Sequence, residues 1–182
     1  MTAPISTCLS TTPPADPEEH VFRPLVPEED TFALKLLKAY YEPGVLPLRD
    51  DPFKRLPAPD SFHALTHHLS LYILALRHDE AQLADAVYIQ IRHYYASTGH
   101  TASPFRLEYV YNHTEGPNAL RAFLAETAAC RLVLCRDKRA DAARGVVGPE
   151  EALSKSMRAL VAKGGDLAVD LMAAVVRLSV YA

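Results

Sequence analysis

Proline divides this chain. Eleven of its 14 prolines precede residue 60, and only Pro104, Pro117 and Pro149 follow. Proline removes a backbone donor and its ring clashes with the preceding turn, so it breaks helix interiors. Up to Pro59 the longest proline-free stretch lies between Pro27 and Pro43. Beyond Pro59 apolar residues recur every three or four positions, the period of a helix with one face in a core. This pattern predicts a mostly α fold, an array of about seven helices with little or no sheet.

The same division sets the expected organisation. Residues 1–20 are rich in Pro, Ser and Thr and read as a disordered arm, because they carry too few apolar side chains to offset the entropy of ordering. Residues 21–58 form a second unit: a short edge strand at 21–26, a helix over about 29–41 and a loop over 43–59 that holds five prolines. Phe32, Leu36 and Ala39 or Tyr40 share one face of that helix, and Pro43-Gly44 stops it. Residues 59–182 are the helical domain.

Within that domain Asp60 or Ser61 caps a helix reaching about His78. Phe62, Leu65, Leu69, Tyr72, Ile73 and Leu76 share one of its faces, and Leu71 and Leu74 lie opposite. A helix apolar on two sides belongs between two layers. The next helix, about 79–97, turns Leu83, Val87, Ile91 and Tyr94 inward and ends at Gly99. Ser103-Pro104 opens a short helix carrying Phe105, Val110 and Tyr111. After Gly116-Pro117, Leu120, Phe123, Leu124, Thr127 and Leu134 mark a long helix ending in a charged run from Arg136. Gly148-Pro149-Glu150-Glu151 opens a helix with Leu153, Met157, Leu160 and Val161 inward, closed by Gly164-Gly165. Asp166 caps the last helix, whose inward residues are Leu167, Leu171, Val175 and Leu178.

The whole-chain balance excludes several functions. A net charge of −3 argues against nucleic acid, whose binders carry a basic excess to neutralise phosphates. No apolar run reaches 18 residues, so no membrane span is expected. The start of the chain lacks the apolar core of a signal peptide, and three cysteines, Cys8, Cys130 and Cys135, are not a disulfide framework. Cytoplasm or nucleus is the expected location.

No enzyme site is expected, and no cofactor or metal. The chain holds no G-x-G-x-x-G, G-x-x-x-x-G-K, G-x-S-x-G or C-x-x-C motif. His63, His67 and His78 fall on one side of the central helix with His68 on the flank, and an i, i+4 pair of histidines can ligate one ion. They are the basis of an alternative reading, a small helical metal-dependent enzyme. The competing reading makes them polar or half-buried packing residues whose charge changes near neutrality. Cys130 and Cys135 diverge around their helix and read as small core residues. Arg131 sits in the apolar face of its helix, either snorkelling to water or held in a buried ion pair. In Arg92-His93-Tyr94-Tyr95, Tyr94 points inward and Arg92 outward.

One feature points to a function. On the last helix Val169, Met172, Val176 and Val180 line the side opposite the inward residues. A second apolar stripe either packs against another part of the chain or forms a surface for a protein partner or a second copy.

Several segments, taken in order, resemble those of fungal BTB/POZ-domain proteins. Val21-Phe22-Arg23-Pro24-Leu25 followed by Pro27-Glu28-Glu29-Asp30-Thr31-Phe32 resembles the strand and helix start in the second half of a BTB domain. Ala39-Tyr40-Tyr41-Glu42-Pro43-Gly44 is similar to the family's YLYTG segment. Leu71-Tyr72-Ile73-Leu74-Ala75-Leu76-Arg77-His78-Asp79 is similar to VYVLADKYD, and Leu83-Ala84-Asp85-Ala86 to the L…LA that follows it. Tyr109-Val110-Tyr111-Asn112-His113-Thr114 looks like VYENT, and Ala119-Leu120-Arg121 like the next helix start. The resemblance implies a BTB-like remnant over 21–58 followed by a BACK-like helical region, used as a non-catalytic interaction, scaffold or adaptor module. Some family members recruit cullin-type ubiquitin ligases. The first half of a BTB domain has no counterpart here, which argues against the family's usual dimerisation and cullin recruitment.

Overall fold

A computed structural model describes residues 26–41, 56–133 and 153–180. Among them are seven α-helices and no strand. A 3-10 turn, Pro27–Glu29, leads into α1 (Thr31–Tyr41); then follow α2 (Phe62–Arg77), α3 (Ala81–Thr98), α4 (Pro104–His113), α5 (Ala119–Val133), α6 (Lys155–Ala162) and α7 (Gly165–Ser179). The fold is mostly α, as the periodicity predicts. The arm at 1–20, residues 21–25 of the strand expected over 21–26, Pro43-Gly44, Leu134, Cys135, the charged run from Arg136 and the opening at 148–151 lie outside the described residues, while Val26 precedes the 3-10 turn and lies in no strand.

Helix ends follow their punctuation. The Ser61 and Ser103 hydroxyls accept the Ala64 and Arg106 backbone N–H groups, closing the N-termini of α2 and α4. Gly99 ends α3 at φ 67°, a left-handed geometry that costs a residue with a Cβ. The start of α6 differs from expectation. Ser154, not the Gly148-Pro149 region, caps it by accepting the Met157 N–H. Asp166 is not the cap of α7. Gly164 and Gly165, at φ 73° and 76°, turn the chain between α6 and α7, and Asp166 falls inside the first turn.

Helix α2 is central. Every residue from Leu65 to Ala75 except His67 is buried, so Leu71 and Leu74 are enclosed along with Leu65, Leu69 and Ile73. The Pro27–Glu29 turn, α1, α3 and α4 all pack against it. A helix covered on so many sides needs the two-sided apolar pattern seen in its sequence. Helices α5 and α7 form the other extensive pair, and α4 touches α2, α5, α6 and α7, so it joins the two groups. One continuous apolar core results.

Helix α1 differs in its facing. Ala33 is fully buried and Leu36, Leu37 and Tyr40 are half-buried, whereas Phe32 is exposed. The expected inward line is therefore displaced by one position at its start. Asp30 causes this: its carboxylate accepts the Phe32 and Ala33 N–H groups at 3.1 and 3.0 Å and fixes how the helix begins.

Candidate functional site

The α7 stripe lies in the open. Val169, Met172, Val176 and Val180 are 67, 63, 58 and 76% exposed, while Leu167, Leu171 and Ala174 are buried on the opposite side. Expected inward residues Val175 and Leu178 are half-buried against the core. Among the described residues no helix covers the outer stripe. Ala168 and Ala173 sit beside Val169 and Met172, so the surface is a shallow apolar groove with Arg177 at its end. Small residues at the edge of such a stripe let another helix approach closely.

Polar contacts hold α7 so that this stripe faces out. The Arg121 guanidinium on α5 donates to Asp166 Oδ2 at 3.1 Å, to Thr114 Oγ1 at 2.8 Å, to the Tyr111 carbonyl at 3.1 Å and to the Thr114 carbonyl. It also lies 4.5 Å from the Tyr111 ring centroid. The Tyr111 hydroxyl donates to Asp170 Oδ2 at 2.7 Å. Burial and that carboxylate both push the Tyr111 phenol above its usual range, so it stays a donor. Arg177 meets Glu126 at 3.3 Å, and Lys163 on the turn after α6 pairs with Glu108 on α4. These groups serve internal bonds, and the stripe between them carries no reactive side chain.

The histidines do not converge. His63 and His67 are neighbours, their ring centroids 4.7 Å apart. His78, the C-cap of α2, lies eleven residues beyond His67, about 16 Å along the axis, so the same-side placement does not bring it to the others. His68 is buried and bonded to the carbonyls of Ala64 and Pro57 at 2.9 and 2.8 Å. His67 Nδ1 sits 2.8 Å from both carboxylate oxygens of Asp30. Among the described residues no three His, Cys, Asp or Glu side chains are placed to hold an ion.

Asp30 anchors a buried polar cluster that the sequence did not reveal. Burial disfavours its charge, but hydrogen bonds from the Ala33 N–H, the His67 ring and the Ser70 hydroxyl, with the His67 charge, hold its carboxyl below the usual value. Ser70 Oγ also meets the Tyr109 hydroxyl at 2.8 Å. The signal was the Asp30-Thr31 helix start itself, since aspartate is a preferred cap.

Arg131 reaches water, as the snorkelling alternative expects, and is not held in a buried ion pair. Arg131 is exposed, and the buried ones are Arg106 and Arg121, 1 and 4% exposed. Their spacing was the available signal. Arg121 falls in step with Leu124, Ala125 and Ala128, and Arg106 with Tyr109 and Val110, all buried. Cys130 is half-buried. Tyr94 is buried and Arg92 exposed, its guanidinium lying over the Tyr88 and Phe123 rings.

No helix among the described residues is long and apolar enough to cross a membrane. No family model, no curated protein and no solved structure matches the chain.

Proposed function

We propose that this chain is a non-catalytic protein-interaction module that docks through α7 and works in the cytoplasm or nucleus. The exposed line Val169, Met172, Val176, Val180 carries the reading. Four large apolar side chains at spacings of three and four residues present a seam suited to another helix and to little else. The ordered resemblance to the helical region of BTB-family proteins, whose role is protein contact, supports the same conclusion.

The occupant is a second copy of α7, packed antiparallel about a two-fold axis near Met172 and Ala173. That operation sets Val169 against Val176 of the other copy and each Met172 against a small alanine. A stripe that complements itself in this way suits an isologous interface. One helix face buries less than the roughly 800 Å² per partner of a stable complex, so the association is expected in the micromolar range or weaker. Light scattering across low to high micromolar concentration should show the wild type growing toward dimer. The Met172→Glu/Val176→Glu variant should stay monomeric with unchanged helical circular dichroism. Equal, concentration-independent monomers would refute the docking surface.

A further inference from the structure

Two histidines stand together near the N-terminal end of α2. His63 and His67 lie on successive turns of one side, and their ring centroids are 4.7 Å apart. Two imidazoles that share one tetrahedral ion, each nitrogen about 2 Å from it, place their ring centres roughly 5 Å apart. The pair already has the separation that one ion requires. The rings meet edge to face, at 81°. His63 is exposed, so its ring turns about its own side-chain bonds to aim a nitrogen at such an ion.

The contacts of His67 decide which of its nitrogens is offered. Nδ1 lies 2.8 Å from both Asp30 carboxylate oxygens, which only accept, so Nδ1 carries the proton. Nε2 then holds the lone pair, and among the described residues no hydrogen bond occupies it. Metal-ligating histidines use this arrangement: one nitrogen binds the ion, and the other donates its N–H to a carboxylate that fixes the ring and raises its basicity. Asp30 is itself held in place. Its side chain is 1% exposed and accepts the Phe32 and Ala33 N–H groups. The Phe32 ring, 4.7 Å from that of His67, covers one flank. The other histidines of α2 and its cap do not join. Both nitrogens of His68 face carbonyls, and His78 lies at the far end of the helix.

We propose that His63 and His67 form a two-histidine site for a divalent transition-metal ion of the zinc or copper class, with Asp30 as the carboxylate behind it. Imidazole nitrogens suit these ions, whereas magnesium and calcium take oxygen ligands. Among the described residues no third His, Cys, Asp or Glu is placed beside the pair, so water completes the shell. The site is therefore open and exchangeable, weaker than a closed four-ligand centre. An ion on Nε2 draws electrons from the ring and makes the Nδ1–H a stronger donor to Asp30. Binding thus tightens the start of α1 on α2. The site is separate from the α7 surface and does not depend on it.

The test uses the full, untagged chain, freed of metal with a chelator, and zinc chloride as the probe. Calorimetry should find one ion per chain with a Kd of about 1–100 μM, as expected for half the ligands of a structural zinc site. Magnesium chloride should give no binding heat. His63→Gln, at an exposed position, should keep the helical circular dichroism and weaken zinc binding by at least the roughly tenfold that loss of an outer-shell partner costs. His78→Gln should bind zinc as wild type does. Nitrogen-15 NMR should show zinc moving the ring signals of His63 and His67, with the His67 Nδ1–H retained and His68 unmoved. Zinc binding unchanged in His63→Gln would overturn the proposal. So would coordination through His67 Nδ1, or no binding heat up to millimolar zinc.

Discussion

Arg106 and Arg121 are both enclosed, yet different contacts hold them. Arg121 donates to the carbonyls of Tyr111 and Thr114 and to Thr114 Oγ1, near the end of α4, and pairs with Asp166, whose side chain is 73% exposed. Arg106 makes no ion pair among the described residues. Its guanidinium lies 3.4 Å from the Phe62 ring centroid and 5.9 Å from that of Tyr95, with longer bonds to the Phe62 carbonyl and the Tyr95 hydroxyl, and its Nε has no partner. Aromatic faces attract a cation, but they do not replace a counter-charge. Urea unfolding should therefore separate the two. Arg121→Met leaves buried carbonyls unsatisfied and should cost about 2–4 kcal/mol. Asp166→Asn, at an exposed partner, should cost less than about 1 kcal/mol. Arg106→Met, which removes an unpaired buried charge, should stay within about 1 kcal/mol of wild type.

At the level of elements, α1 and α2 show how a helical wheel succeeds and fails. Both sequences place aromatic and aliphatic residues on one side. In α2 that side and its opposite are enclosed, because α1, α3 and α4 surround it. In α1 the rotation is decided by the Asp30 cap and the His67 contact, and these leave Phe32 46% exposed. Thermal and urea unfolding should report the difference. Leu69→Ala on α2 opens a cavity in a fully packed site and should cost about 2–5 kcal/mol. Phe32→Ala should cost about 1 kcal/mol or less, since most of what it loses is surface contact with the His67 ring.

For the whole molecule, the Asp30 cluster ties stability to pH on the acid side. Its carboxyl titrates below the ordinary 3.8 in the folded chain. A group lowered in this way adds stability above its unfolded value and loses it as pH falls through the folded value. Stability measured from pH 5 down to pH 2 should decline more steeply in wild type than in Asp30→Asn, with the two curves converging at the acid end. A wild-type curve parallel to that of the variant would remove Asp30 from the account.

How much of this was written in the sequence depends on the range of the interaction that carries it. Helix number, the punctuation at Ser61, Gly99, Ser103 and Gly164-Gly165, the central place of α2 and the second stripe on α7 are local or periodic properties, set by sterics and by spacing along one helix. They were legible because each depends on residues within a few turns of one another. The exposure of Val169, Met172, Val176 and Val180 was not, since a stripe's spacing is the same whether or not a neighbour covers it. Nor could spacing show that Asp30 meets His67, that Arg121 meets Asp166, or that His68 faces two carbonyls. Those contacts join residues far apart in the chain, and only the packing of separate helices brings them within bonding distance.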